Sequence, residues 1–342
     1  MSNYKESPNG RWLPTDISPS RLKTFKTCPK QYEYNYVRRF PRTTGIAALQ
    51  GSTLHEVFLE EYILPSSPYM VLDNGIRELV EKIDAGDDST ELDANLKEML
   101  LESNGNIDDL VELMIMDLQS RLDTEDPRDY KTNALVDAFD KKQGIEQMKI
   151  WGKGLLVAIR NGKDDYGNAV RIPPVAETEV EGCCEIELPS GVKLRLRGYI
   201  DLLFEDGSIG DLKMASDYWK AIWTLAKAIS EDQPAMYAKM TGARTFRYLI
   251  VDKKRAKSGD AYAPMVRTID FEVTDRDMEK LIEDLELFVK VTDIVNGHEN
   301  GLFPPKPEYN GQTKATAGRT ELNFCGKLCN HKEICFNENF KR

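Results

Sequence analysis

The chain has no long hydrophobic run. None of its apolar stretches approaches the roughly 20 residues a helix needs to span a bilayer, so a helical membrane protein is not expected. Residues 1–16, MSNYKESPNGRWLPTD, carry no apolar segment of the signal-peptide kind. Histidine is scarce, with three, and so is cysteine, with six. These absences point to a cytoplasmic chain with no membrane partner, in which disulfides are rare and the cysteines need another explanation. At 342 residues and 41% apolar, there is material for one large domain or two modest ones around a sizeable core.

Positive charge is also in deficit. The net charge of −11 argues at first sight against a nucleic-acid partner. Its distribution reverses that inference. Residues 71–140 hold 20 acids against 6 bases, which leaves the rest of the chain slightly basic. Residues 21–42 hold seven bases against one acid, Glu33, with Phe25, Tyr32, Tyr34 and Tyr36 interleaved. Such an arm can contact phosphates in an otherwise acidic protein. A solvated helix with a few buried rings accounts for it equally well.

Ser18 and Pro19 predict a helix start, and Ile17, Leu22 and Phe25 suit a short amphipathic helix ending near Cys28-Pro29. A second helix begins near Gly51. Residues 70–160 read as mainly helical, with acidic surfaces and Gly/Asp-rich breaks near 85–90 and 103–108. Strand patterns follow at 176–188 and 192–205, joined by the turn Pro189-Ser190-Gly191. A second hairpin, DLLFEDGSIGDLKMAS, occupies 201–216. A helix across 218–240, strands at 245–254 and 264–274 and a long amphipathic helix stopping at Gly297 complete the pattern. The tail reads as loop with clustered cysteines, and there is no internal repeat.

The second hairpin carries acids where strands usually pack a core. With a period of two, Asp211 and Lys213 share a face. A turn centred near Gly207 sets Asp201 across from Lys213. Buried acids and lysines need partners or a metal, and carboxylates suit hard cations such as Mg²⁺ or Mn²⁺. A solvent-facing strand with a salt bridge is the plain alternative. His55, in GSTLHEVFLE, and Gln233 with Tyr237, four apart on one helix face, are weaker single signals. Cys325, Cys329 and Cys335 are tightly spaced, and Cys28 lies nearly a full chain away. Four thiolates suit a [4Fe–4S] cluster or a structural zinc, for which His331 competes as fourth ligand. Cys183 and Cys184 point to opposite faces of a strand and read as structural.

Taken in order, SPSRLKTFKTCPKQYEYNY, GSTLHEVF, GYIDLLFEDGSIGDLK, QPAMY and CGKLCNHKEIC resemble the RecB-like branch of the PD-(D/E)xK nucleases. The cysteine pattern is similar to that of AddB-type nuclease domains and of stand-alone CRISPR-associated and phage exonucleases. The resemblance implies an α/β fold with a restriction-endonuclease-like central mixed sheet flanked by helices, a helical insertion and a C-terminal iron–sulfur-bound tail. It divides the chain into a helical arm (1–50), a helical region with the acidic insertion (51–160), a nuclease core (161–300) and a cysteine-rich tail (301–342). It implies His55, Asp201 and Asp211 as ligands of Mg²⁺ or Mn²⁺, joined by the Leu212 carbonyl. Lys213 would position the attacking water, and Gln233 and Tyr237 would support the site and the DNA strand. Cys28, Cys325, Cys329 and Cys335 would hold the [4Fe–4S] cluster. Gly198-Tyr199-Ile200 replaces any proline before Asp201, as is common in this branch, and Asp211 rather than a glutamate fills the second carboxylate, which the family also allows. The implied activity is a metal-dependent DNA exonuclease acting in recombination, repair or processing on DNA with a single-stranded end or overhang. A homo-oligomer or recombination and adaptation partner proteins are compatible with it. The rival readings are a non-catalytic DNA-binding or assembly subunit and a zinc-stapled nuclease acting on RNA.

Overall fold

A computed structural model of the chain describes residues 4–6, 12–14, 16–40, 44–64, 66–85, 90–128, 135–216, 223–255, 260–296, 331 and 334–335. A two-stranded hairpin, β1 (Tyr4–Glu6) and β2 (Trp12–Pro14), comes first. Helix α1 (Pro19–Thr27) starts where the sequence predicts: the Ser18 side chain accepts from the Arg21 N–H, and proline takes the first helical position. It ends at Cys28, which is extended because the following proline disfavours helical backbone there. Helix α2 (Pro29–Tyr32) runs on into a π-helical turn, Glu33–Val37.

Helices α3 (Ile46–Glu56), α4 (Pro68–Asp84), α5 (Thr90–Thr124) and α6 (Ala138–Arg160) follow, with a second π-helical turn, Val57–Tyr62, after α3. The region is helical, as predicted, but the break expected near 103–108 is not there: α5 runs unbroken through Ser103-Asn104-Gly105. Serine and asparagine weaken helices by competing for backbone hydrogen bonds. Here tertiary partners occupy them. Ser103 donates to buried Asp73 at 2.6 Å, Tyr62 donates to the other Asp73 oxygen at 2.7 Å, and Arg160 donates to Asn104 at 2.7 Å.

The remaining strands, β3 (Val175–Glu187), β4 (Lys193–Phe204), β5 (Ile209–Ser216), β6 (Thr245–Arg255) and β7 (Ala261–Glu272), form one mixed sheet in that order. All neighbours are antiparallel except β5 and β6, which are parallel and joined by a crossover that includes α7 (Leu225–Ser230) and α8 (Asp232–Thr241). The single helix expected across 218–240 is divided at Glu231, whose backbone is extended; residues 217–222 lie outside the described residues. Helix α9 (Asp275–Asn296) closes the described fold before the tail.

The sheet lies between two apolar layers. Leu22, Phe25, Met236, Leu285 and Phe288 of α1, α8 and α9 pack with Leu196, Phe246 and Tyr248 on one face. Leu54, Leu110, Met114, Leu118 and Leu155 of α3, α5 and α6 pack with Leu202, Leu212 and Leu249 on the other. The acidic helices therefore bury an apolar stripe against the sheet. Among the described residues, no helix is long and apolar enough to cross a membrane.

Of the two readings open for the basic arm, its packing is what the structure describes in detail. Arg21 pairs with Asp16, Lys23 with Glu231 at 2.8 Å, and Lys26 with Asp232 at 2.8 Å and Asp284 at 2.6 Å. Lys30 is fully buried against Glu33 at 2.9 Å. Tyr32 and Tyr34 are also buried. The arm is thus largely a docking element: Arg21 and Lys30 find acids nearby in the chain, and Lys23 and Lys26 find acids of α8, α9 and the residue before α8.

Candidate active site

The sheet splits at the second hairpin. Strands β4 and β5 share only two paired positions, Leu202 with Gly210 and Leu203 with Ile209, before β5 turns away along β6. Further along β4 the vacated edge is taken by Ile17, whose N–H donates to the Arg195 carbonyl at 2.8 Å and whose carbonyl accepts from Arg197 N–H at 3.0 Å. The opening between these two attachments is a groove of about 580 Å³, lined by Arg197, Gly198 and Tyr199 of β4, the first turn of α1, and Lys213, Gln233 and Tyr237.

The hairpin turn corrects the expected register. Gly207, at φ +79°, occupies the left-handed position of a short loop in which Phe204 N–H bonds to the Ser208 carbonyl at 3.0 Å. Continuing the Leu202–Gly210 register places Asp201 across from Asp211, not Lys213. The two carboxylates therefore face each other where the strands part, and both are buried, at 7% and 1% exposure.

Freed from the ladder to β4, the Leu212 N–H donates to Asp201 Oδ2 at 2.8 Å. The Leu212 carbonyl accepts from His55 Nε2 at 2.8 Å. Because a carbonyl can only accept, this bond puts the His55 proton on Nε2 and leaves the Nδ1 lone pair 3.5 Å from Asp201 Oδ2. Burial lowers the His55 pKa, with Asp211 opposing and Lys213 reinforcing that shift, so the ring is neutral near pH 7. Two electron-rich atoms then face each other across a gap that needs a proton or a cation. Asp201 reflects the same conflict: burial first, then the neighbouring Asp211 charge, push its carboxyl well above the usual range.

Lys213 Nζ lies 2.5 Å from Asp211 Oδ2, on the shared face the two-residue period predicts. That buried oxygen has no hydrogen bond of normal geometry, so its contact with Lys213 is ionic. Burial of Lys213 disfavours its charge, but Asp211 and Asp201 outweigh that cost and raise its pKa above the ordinary lysine value. Gln233 Nε2 donates to Asp211 Oδ1 and lies 3.1 Å from the Tyr237 hydroxyl, which in turn donates to the Tyr199 carbonyl. Gly198 makes room for this relay: a Cβ there would stand 2.8 Å from Tyr237 Cε1.

The sequence pattern did not single out Glu179. Its carboxylate lies with His55 and Asp201 such that one ligand atom from each falls within 4.8 Å of the others, the one such trio among the described residues. The pairing of Thr178 with Leu202 and Val180 with Ile200 sets Glu179 opposite Asp201. Its φ of +51° is left-handed, unusual for a non-glycine residue. Burial, then Glu60 and Asp211, raise its pKa. A signal for it existed: a turn centred on Ser190 gives this same register. Acids on either side at 177 and 181 masked it.

At the other candidate centre, Cys28 is buried and Cys335 half-buried. Cys325 and Cys329 lie outside the described residues. His331, the competing zinc ligand, is 2% exposed and its Nε2 lies 2.8 Å from Asn35 Oδ1. Its ring packs on Tyr34 and Phe40.

The PD-(D/E)XK nuclease superfamily model matches residues 16–336, and the chain belongs to that superfamily. No curated protein matches it. Among solved structures it is similar to a protein from Eubacterium rectale designated an exonuclease, at 16% identity and TM-score 0.40, over 90% of this chain and 92% of that one. It is similar also to Rai1 of Candida albicans, solved with pU5 and Mn²⁺, at 12% identity and TM-score 0.20, over 81% of this chain and 67% of that one. A third likeness, to SSO0001, has 15% identity and TM-score 0.25 and spans 33% of this chain and about half, 49%, of that one.

Proposed function

We propose that this nuclease is a metal-dependent DNA exonuclease whose reaction centre is the split between β4 and β5. The observation that carries the reading is the facing pair Asp201 and Asp211, buried together with a neutral His55 nitrogen aimed at the same space. Carboxylates, an imidazole lone pair and a carbonyl fit a hard divalent cation such as Mg²⁺ or Mn²⁺. Asp201, Asp211, His55 and Glu179 would hold it, and the second lone pair of the Leu212 carbonyl remains for it. Bound there, the ion would supply an activated water and neutralise charge on the phosphoryl oxygens.

The chain's own side chains do the rest. The neighbouring carboxylates favour the Lys213 ammonium, which would serve as charge and hydrogen-bond donor to the phosphate or the water. Gln233 fixes the rotation of the Asp211 carboxylate, and Tyr237 holds Gln233 to the β4 backbone. The Leu212 N–H and carbonyl position Asp201 and His55 from one peptide segment.

A [4Fe–4S] cluster on Cys28, Cys325, Cys329 and Cys335 is part of the same proposal, with zinc the alternative. Its support is that His331 and Cys335 belong to a tail segment that docks on the arm just after Cys28. The test is degradation of end-labelled single- and double-stranded DNA, with RNA in parallel, in Mg²⁺ or Mn²⁺. Products released from ends of DNA, lost in Asp211→Asn, are expected. Cleavage that persists at the wild-type rate in that variant overturns the centre. Cleavage of RNA alone overturns the substrate, and mid-strand cleavage of closed circles overturns the end dependence.

A further inference from the structure

The groove beside the reaction centre carries an exposed aromatic ring that the proposed reaction does not use. Tyr199 lies two residues before Asp201 on β4, lines the groove, and is 50% exposed. Its backbone carbonyl is committed to Tyr237, but its ring is free of aromatic partners among the described residues. The ring is nevertheless held in place. Arg197 Nη2 donates to its hydroxyl at 3.4 Å, and Arg197 is itself fixed by Glu181 at 2.6 Å and lies 3.9 Å from Asp16. Tyr199 pairs with Glu181 across the hairpin, so the three side chains form one braced group on β3 and β4.

The charges of the groove do not favour a purely electrostatic grip. Arg21, Lys23 and Arg197 are each paired with an acid, and Asp16, Glu231 and Asp232 line the same space. A strand held here needs an uncharged contact. A half-exposed phenol at the rim, bonded to Arg197, supplies one, because base–aromatic stacking contributes about 1–3 kcal/mol per base irrespective of sequence. Resting on the nuclease reading, we infer that Tyr199 is the stacking platform for the base next to the scissile phosphate. The arrangement favours a base already free of its partner, because a paired base presents no open face to the ring.

The experiment places 2-aminopurine at successive positions of a short single-stranded oligonucleotide and follows its fluorescence and affinity with the full chain. Ca²⁺, another oxygen-preferring ion, replaces Mg²⁺ so that binding is read without turnover. Quenching at one position next to the bound end is expected. Tyr199→Ala should lose that quench and bind about 5- to 150-fold more weakly, the loss of one stacked base. Tyr199→Leu, which keeps bulk but has no π face, should behave like the alanine variant, whereas Tyr199→Trp should retain both signals. An abasic site at that position should weaken wild type and leave Tyr199→Ala unaffected. Quench and affinity preserved in the alanine and leucine variants would overturn the assignment, as would an abasic penalty equal in wild type and variant. Because binding is read apart from cleavage, failure of the nuclease reading shows separately, as inactivity in Mg²⁺ and Mn²⁺.

Discussion

At Asp201 the demands of stability and of chemistry oppose each other. Its carboxyl is buried beside another acid, and its pKa is raised well above that of an exposed aspartate. A raised folded-state pKa means that the fold is favoured while the group is protonated. That contribution is lost as pH rises through the folded value, so in the absence of a cation the ionised site strains the fold at neutral pH. Asp201→Asn should therefore raise the melting temperature in chelator at pH 8, by about 1–2 °C for each kcal/mol recovered. The gain should shrink as acidification protonates the wild-type carboxyl. Mg²⁺ or Mn²⁺ should stabilise wild type but not the variant, which should not cleave. Differential scanning fluorimetry from pH 5 to 8 checks this, and an equal gain at every pH would contradict it.

At the scale of elements, α5 shows how tertiary contacts override local preference. Gly105 and its polar neighbours read as a break because those residues are poor helix formers in isolation. The Asp73 carboxylate binds two of the relevant hydroxyls, and Arg160 binds Asn104. Asp73→Ala would leave the Tyr62 hydroxyl without its acceptor and the Ser103 hydroxyl bonded only to Arg160. An unfolding titration should find it about 2–4 kcal/mol less stable than wild type, since each orphaned buried hydroxyl costs roughly 1–3 kcal/mol. Asp73→Asn, still able to accept from one hydroxyl, should lose less. Helices α3 and α8 show the complementary case: His55 and Gln233 arrive from opposite faces of the sheet, and each depends on the parting of β4 from β5.

For the whole molecule, the chain ends matter more than their composition suggests. Ile17 occupies the β4 edge that β5 leaves, and His331 packs against the stacked rings of Tyr34 and Phe40 while meeting Asn35. The first and last segments are thus tied to one another and to the site. His331→Ala should free the tail to limited proteolysis, with cleavage C-terminal to α9 at least several-fold faster and the sheet still resistant. Mass spectrometry of the fragments would check this, and an unchanged digestion rate would show that the histidine is not a fastening point.

Much of this protein is legible in its amino-acid sequence alone. Serine and proline place the start of α1, turn residues place both hairpins, and the two-residue period puts Asp211 and Lys213 on one face. The order of five short motifs carries the superfamily, and the helical period puts Gln233 beside Tyr237. Each of these follows from interactions within a few residues or from a pattern read along the chain. The position of Asp201 opposite Asp211 comes from one loop's left-handed Gly207, which shifts the pairing expected from the turn's centre. The role open to Glu179 comes from a cross-strand neighbour, hidden among acids of identical type. The pairing of the basic arm comes from Asp16, Glu231, Asp232 and Asp284, most of them more than two hundred residues distant. Strand parting, side-chain convergence and charge neutralisation are properties of residues that meet only when the sheet and its two helical layers close, and that closure is the tertiary structure's to decide.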